Sequence, residues 1–397
     1  MEKIATLQSV AVMLLLATCL QAQSSYFQQE VHYNIEVTLN DRQHTLSGTV
    51  EINYINHSPH TLDRIYMHLW PNAYADRNTA FARQQLRAGD TKFHFANQEE
   101  RGGFSGLDFT INDERTRIEL LPNNPDIGVL RLPKPLAPGA NVRIKTPFRL
   151  KIPASFSRLG HVGESYQITQ WYPKPAVYDQ QGWHPMPYLN QGEFYSEFGS
   201  FDVRITLPDN YVVGATGTLQ TDSEIAFLQR KMEESNERLL LPVKDKKSDN
   251  DDADFPKSSE TMKTLHYKAD QVHDFAWFAD KRFYVQKGQV TLSSGRTVDT
   301  WAMFTDVERN LWKDAINYIN RSVLFYSEHV GEYPYPHATA VQSALSAGGG
   351  MEYPMITVIG EAGSPRSLDI VITHEVGHNW FYGILGINED DHVGMKK

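Results

Sequence analysis

From Val31 the chain alternates strictly. Val31, Tyr33, Ile35, Val37 and Leu39 are apolar, and His32, Asn34, Glu36, Thr38 and Asn40 between them are polar. A period of two puts the two sets on opposite faces of a half-buried strand. Asn40-Asp41-Arg42-Gln43 punctuates the run, and Leu46, Gly48, Val50, Ile52 and Tyr54 resume it, which predicts a hairpin or two neighbouring strands. Shorter runs follow at 107–111, 116–120, 129–132, 142–150 and 201–207, divided by turn clusters such as Pro122-Asn123-Asn124-Pro125 and Pro138-Gly139. The first two hundred residues therefore read as an all-β sandwich or saddle. Nine aromatics between 171 and 201 either wedge loops against the sheets or face a substrate.

The period then changes. Residues 221–241 carry a helical pattern, with Thr221 and Glu224 spaced as a capping box. Residues 244–260 are charged and lack apolar periodicity, so they read as a solvated insertion. A calcium loop at 249–254 is excluded, because the central glycine is missing and Ala253 stands where an oxygen ligand belongs. A helix is predicted over 310–330, a break at Tyr333-Pro334-Tyr335-Pro336, strands over 338–342 and 355–359, and a helix from Ser364-Pro365 to about Tyr382. The pattern as a whole is α+β and multidomain: a β-domain over 23–290 with a charged insertion at about 222–262, then a mixed domain over 291–397.

Composition narrows the reading. Forty-eight acidic against 38 basic residues give a net charge of −10, so no basic excess is present to neutralise phosphates, and nucleic acid is not an expected partner. Lys3 and an apolar region of eleven residues, Val10 to Leu20, followed by Leu20-Gln21-Ala22, form a signal-peptide pattern over 1–22. That stretch is shorter than the roughly 20 residues a membrane span needs, and no second stretch qualifies. Leu16-Ala17-Thr18-Cys19 approaches a lipoprotein signal less well, because Thr18 is bulky. Export to the periplasm or the outside is the expectation. Cys19 is the only cysteine, so the exported chain would carry no disulfide.

The chemistry-bearing residues sit on the last predicted helix, as His374-Glu375-Val376-Gly377-His378. A spacing of four turns the two histidines only about 40° apart and about 6 Å along one face. Imidazoles so placed can share one zinc ion. Glu375 can take a proton from a zinc-activated water without itself being a ligand. With 15 histidines in 397 residues, one such pattern is expected by chance only about 0.03 times. Ile370, Val371 and Ile372 just before it predict a buried rear face. A metzincin would need histidine at 384, which is Ile384.

Gly348-Gly349-Gly350-Met351-Glu352-Tyr353-Pro354 lies just upstream. Glycines let another backbone approach a strand closely. Glu352 offers a carboxylate suited to a free α-ammonium, which favours release of an N-terminal residue over internal cleavage.

These two segments, GGGMEYP and HEVGHNWFYGILG, resemble the aminopeptidase N family of gluzincin zinc metallopeptidases. The resemblance implies an N-terminal β-saddle followed by a thermolysin-like catalytic domain, one zinc ion, and peptide substrates with a free N-terminus. Carried over, His374 and His378 bind zinc, Glu375 is the general base, Glu352 holds the substrate amine, and Gly349, Gly350 and Met351 line the peptide. Gln170, in the stretch QWYPKPAVYDQQGWH, is the counterpart of a substrate-contacting glutamine. Asn388, Glu389 and His392 fit the family's stretch after the helix. Tyr353 stands where the family usually has asparagine. The family's third ligand is a glutamate nineteen residues after the second histidine, and that position is Lys397. The chain as written is thus expected to hold an incomplete catalytic domain that binds zinc weakly. Two alternatives stay open: a defective or non-enzymatic peptide-binding protein, and a thermolysin-type endopeptidase.

Overall fold

The computed structural model describes residues 26–192, 194–242, 255–343, 349–386 and 388. The signal-peptide pattern, residues 243–254 of the charged insertion, Gly348, Glu389, His392 and Lys397 lie outside the described residues.

The alternation at the N-terminus becomes β1 (Glu30–Asn40) and β2 (Thr45–Ile55), an antiparallel hairpin in the register Asn40↔Thr45. β3 (Asn141–Lys151) pairs with β2 along its length. β4 (Gly199–Pro208) lies parallel to β1, and β5 (Met262–Val272) runs antiparallel to β4. The order β5-β4-β1-β2-β3 forms the centre of a nine-stranded sheet. Its inward residues, Val31 to Leu39 on β1 and Leu46 to Tyr54 on β2, are the apolar sets of the sequence pattern, and they are buried. Two four-stranded sheets pack with it and include 62–68, 124–136, 165–168 and 277–280. Trp171, Tyr172 and Tyr188 are fully buried between these layers.

Helix α1 (Asp222–Leu240) forms where the period changes. Its expected capping box does not. Thr221 Oγ1 instead accepts from the backbone N–H of His266 at 2.9 Å, and the Glu224 carboxylate accepts from Lys263 Nζ at 2.8 Å. A neighbouring strand and its half-buried Lys263 compete for both side chains and win.

The second half is built on a five-stranded mixed sheet in the order β6-β7-β8-β10-β9. These are β6 (Tyr284–Thr291), β7 (Thr297–Phe304), β8 (His337–Gln342), β9 (Gly350–Tyr353) and β10 (Ile356–Ile359). β7, β8 and β10 are mutually parallel, while the outer β6 and β9 run antiparallel to their neighbours. A division at residue 290 falls inside β6, one residue short of its end. Helix α2 (Ala315–His329) makes the crossover from β7 to β8. It starts five residues later than its periodicity predicts, because a short turn at Arg309–Trp312 precedes it and the fully buried Trp312 ring lies against Phe304.

Helix α3 (Pro365–Phe381) packs on β9, β10 and α2. Ser364 caps it, its side chain accepting from Ser367 N at 3.1 Å. Its rear face departs from expectation. Ile372 is buried but Ile370 is 56% exposed, since consecutive residues on a helix point about 100° apart and cannot share one face. One continuous apolar cluster runs from β1 to Trp380 of α3, so the β-sheets and the mixed sheet share a core. Among the described residues no helix is long and apolar enough to cross a membrane.

Candidate active site

Three elements bring the site together: α3, the edge strand β9, and the loops of the β-sheets beneath them. Gly377 is required for the approach of α3 to α2. A Cβ there would lie 2.7 Å from the Tyr326 ring carbon and hydroxyl. Asn379, the residue after the second histidine, fastens α3 to the β9–β10 turn: its Oδ1 accepts from Met355 N at 3.1 Å, and its Nδ2 donates to Val376 O at 3.1 Å. Trp380 Nε1 donates to Gly331 O at 2.7 Å and closes the other flank.

On the face so presented, His374 is exposed and His378 buried. Their Nε2 atoms converge to 3.1 Å, with the rings perpendicular. Two imidazoles sharing a tetrahedral zinc at ordinary bond lengths would place these nitrogens about 3.3 Å apart. The pair fits that ion, as does the chemistry of two imidazole nitrogens.

Two carboxylates flank His378. Ligand atoms of Glu352, Glu375 and His378 lie within 4.8 Å of one another, and all three residues are buried. Such a trio is itself a possible cation cage. Its spread exceeds the separation of ligands around one zinc, so the two Nε2 atoms are the better-matched donors and the carboxylates neighbours. Glu352 Oε1 stands 3.8 Å from His378 Nδ1. That is beyond hydrogen-bond length, but a negative charge there favours a proton on Nδ1 and leaves the Nε2 lone pair directed at His374.

Gly350 touches the other carboxylate. A Cβ on Gly350 would lie 2.6 Å from Glu375 Oε1 and 2.7 Å from its Cγ. The missing side chain thus makes room for Glu375, a purpose the sequence pattern does not reveal. Gly349 has only Val371 near its Cβ direction, at 3.9 Å.

The neighbours of Glu352 on β9 point the other way. Met351 Sδ accepts from Arg158 Nε at 3.1 Å, and Tyr353 Oη donates to Gln170 Oε1 at 3.3 Å. Burial raises the Tyr353 phenol far above its ordinary pKa, so it stays a donor. Gln170, 2% exposed, adopts φ 47° and donates Nε2 to Asp274 at 3.4 Å. Asp274 also accepts from Tyr172 Oη at 2.7 Å and Lys174 Nζ at 3.2 Å. Burial lowers the Lys174 ammonium, and the facing Asp274 opposes that shift. Lys174 Nζ lies 4.4 Å from the centre of the Trp70 ring.

Sequence reasoning singles out His374, Glu375, His378, Glu352, Met351, Gly349, Gly350 and Gln170, and the structure brings them into one region. It misses Arg158, Asp274 and Asn379. Asn379 has a signal, adjacency to the histidine pair. Arg158 and Asp274 have none, being loop residues far away in the chain.

No protein-family model matches the sequence, and no curated protein is recognisably similar to it. Solved structures are more informative. The chain superposes on an M1 zinc metallopeptidase from Deinococcus radiodurans with a TM-score of 0.53 at 15% identity. A point mutant of an M1 zinc metallopeptidase from the same organism gives 0.54, and a mutant bound to a Tyr-Ser-Ala substrate gives 0.52, both again at 15% identity. In each case 90% of this chain is covered and 66% of the other, so the chain spans a little under two thirds of those proteins' length. The fold is that of the M1 zinc metallopeptidases. At this identity the likeness speaks for the M1 architecture and not for individual side chains.

Proposed function

We propose that the protein is a zinc-dependent metallopeptidase of the aminopeptidase type, acting on peptides with a free N-terminus. One observation carries the reading: two Nε2 atoms 3.1 Å apart on one helix, flanked by the carboxylates of Glu375 and Glu352. Zinc held by His374 and His378 would supply Lewis acidity, acidifying water and polarising a peptide carbonyl. Glu375 accepts the proton of the attacking water on its carboxylate and returns it to the leaving nitrogen. Glu352 receives the α-ammonium and so selects the first peptide bond. Gly349, Gly350 and Met351 run along the peptide at the edge of β9 that, among the described residues, carries no partner strand. Burial of both carboxylates keeps competing water away and strengthens their charges. In the neighbouring structures an M1 zinc metallopeptidase mutant is bound to Tyr-Ser-Ala, and another to L-tryptophan; peptides and amino acids are the ligand class proposed here. Export through the segment 1–22 is part of the proposal.

The test uses the full-length protein in excess zinc, because Lys397 stands where the resemblance puts the third ligand and leaves His374 and His378 to hold the ion. A peptide with a free amino terminus is expected to lose its first residue, and the N-acetylated peptide to remain intact. Glu352→Ala is expected to keep zinc and lose most free-amine activity, because removing one partner of a buried charge pair costs about 2–5 kcal/mol. Internal cleavage of both peptides would favour the endopeptidase reading. No cleavage of either, with peptide binding retained, would favour a binding protein.

A further inference from the structure

Glu352 sits between two residues that are held from outside its own sheet. On a strand, positions 351 and 353 share one face and 352 takes the other. Accordingly Glu352 approaches His378 of α3 at 3.8 Å, while Met351 and Tyr353 face Arg158 and Gln170, which lie on loops that flank short strands of the β-domain. β9 is four residues long and, among the described residues, pairs only with β10, so its own ladder holds it weakly.

Both holding residues are themselves anchored. The Arg158 guanidinium donates to the carbonyls of Leu189, Asn190 and Gly192 at 3.0–3.3 Å and lies 5.0 Å from the Phe194 ring. It has the planar fork that lysine lacks. Gln170 is tied through Asp274 to Tyr172 and Lys174. Asp274 also accepts from Phe275 N at 2.8 Å, so its carboxylate is fixed by four donors.

We propose that Arg158 and Gln170 are positioning residues, which grip β9 by the side chains on either side of Glu352 and so let the β-sheets set where the amine-binding carboxylate stands. The proposal rests on the aminopeptidase reading for the role of Glu352, but the grip itself does not. Gln170 acts here through Tyr353 rather than on the substrate. The consequence is that substrate-amine affinity depends on residues nearly two hundred positions upstream that touch neither metal nor peptide.

Three variants test it in the full-length, zinc-loaded protein. Tyr353→Phe removes only a hydroxyl. Met351→Leu removes the thioether acceptor at nearly constant volume. Gln170→Asn keeps a residue suited to positive φ but shortens the reach. Hydrogen–deuterium exchange of the segment 349–354 is expected to speed up by about fivefold or more in each variant, with β8 unchanged. On a free-amine peptide KM is expected to rise about tenfold while kcat stays within about threefold, the mark of a lost ground-state contact. A merely structural role would move stability without that split. Unchanged exchange in the three variants overturns the proposal whatever the activity. Faster exchange with unchanged KM in an active enzyme overturns it too. If the wild type cleaves no free-amine peptide, the aminopeptidase reading has failed, and exchange alone decides the grip.

Discussion

Replacing Gly350 by alanine asks whether the space above this residue belongs to the proposed base. Gly350 is not at a positive φ, so alanine meets no backbone penalty there. The obstacle is local: the new methyl group would stand 2.6, 2.7 and 2.8 Å from Oε1, Cγ and Cδ of Glu375. Restoring ordinary contact at about 3.5 Å moves the carboxylate by close to 1 Å. The stability terms partly offset each other and leave a net cost of about 0–2.5 kcal/mol. Overpacking costs about 1–3 kcal/mol, and removing a glycine from a strand gains about 0.5–1 kcal/mol. Catalysis has no such compensation. A general base contributes about 10²–10⁴-fold, and displacement by 1 Å can forfeit about 10²-fold of that. The expected result is a melting temperature within a few degrees of wild type, unchanged zinc by atomic absorption, and kcat lower by about 10²-fold. Wild-type kcat in Gly350→Ala refutes the placement of Glu375 as base. A loss of zinc in step with the loss of rate refutes the assignment of Glu375 as a non-ligand.

Glu375→Gln is expected to retain zinc and lose turnover; loss of the metal would show that the wrong residue was assigned as base. Gly377→Ala drives a methyl into Tyr326, at 2.7 Å, and is expected to lower unfolding free energy by about 1–3 kcal/mol in urea titrations; no change would mean that α2 and α3 are not so closely packed. Lys174→Met leaves Asp274 charged and buried, an effect of about 3–5 kcal/mol, and a neutral outcome by the same titration would show the pair to be dispensable. His68 is held neutral by burial and by nearby Lys174, its pKa lowered to about 3. Below its ordinary value of about 6.5 the unfolded chain takes up a proton that the folded chain refuses, so this histidine subtracts about 1.4 kcal/mol of stability per pH unit from 6.5 downward. His68→Gln should therefore gain on wild type by roughly 2 kcal/mol between pH 6.5 and 4.5, and a pH-independent difference would contradict the buried neutral state.

The local levels of this protein are written in its sequence. Alternation from Val31 to Tyr54 specifies a hairpin, because a one-residue slip would turn Ile35 and Ile52 to water. Histidines four apart specify one helical face and hence a metal they can share, and a glutamate beside the first specifies a candidate base. Those inferences need only the period of the chain and the valence of the side chains. Tertiary structure decides everything that depends on partners distant in sequence. The parallel pairing of Val31 with Gly199 closes the first sheet across more than 160 residues, and no periodicity encodes it. Thr221 and Glu224 match a capping box by spacing, yet His266 and Lys263 claim them, because a strand from elsewhere lies closer than the helix's own first turn. Ile370 reads as part of a buried stripe and is exposed, since only packing chooses which arc of a helix faces inward. Gly350 reads as room for a substrate backbone, and only the structure shows that its missing side chain also makes room for Glu375. Arg158 and Asp274 are invisible from the sequence, because loop residues become meaningful only when folding sets them against β9 and Gln170.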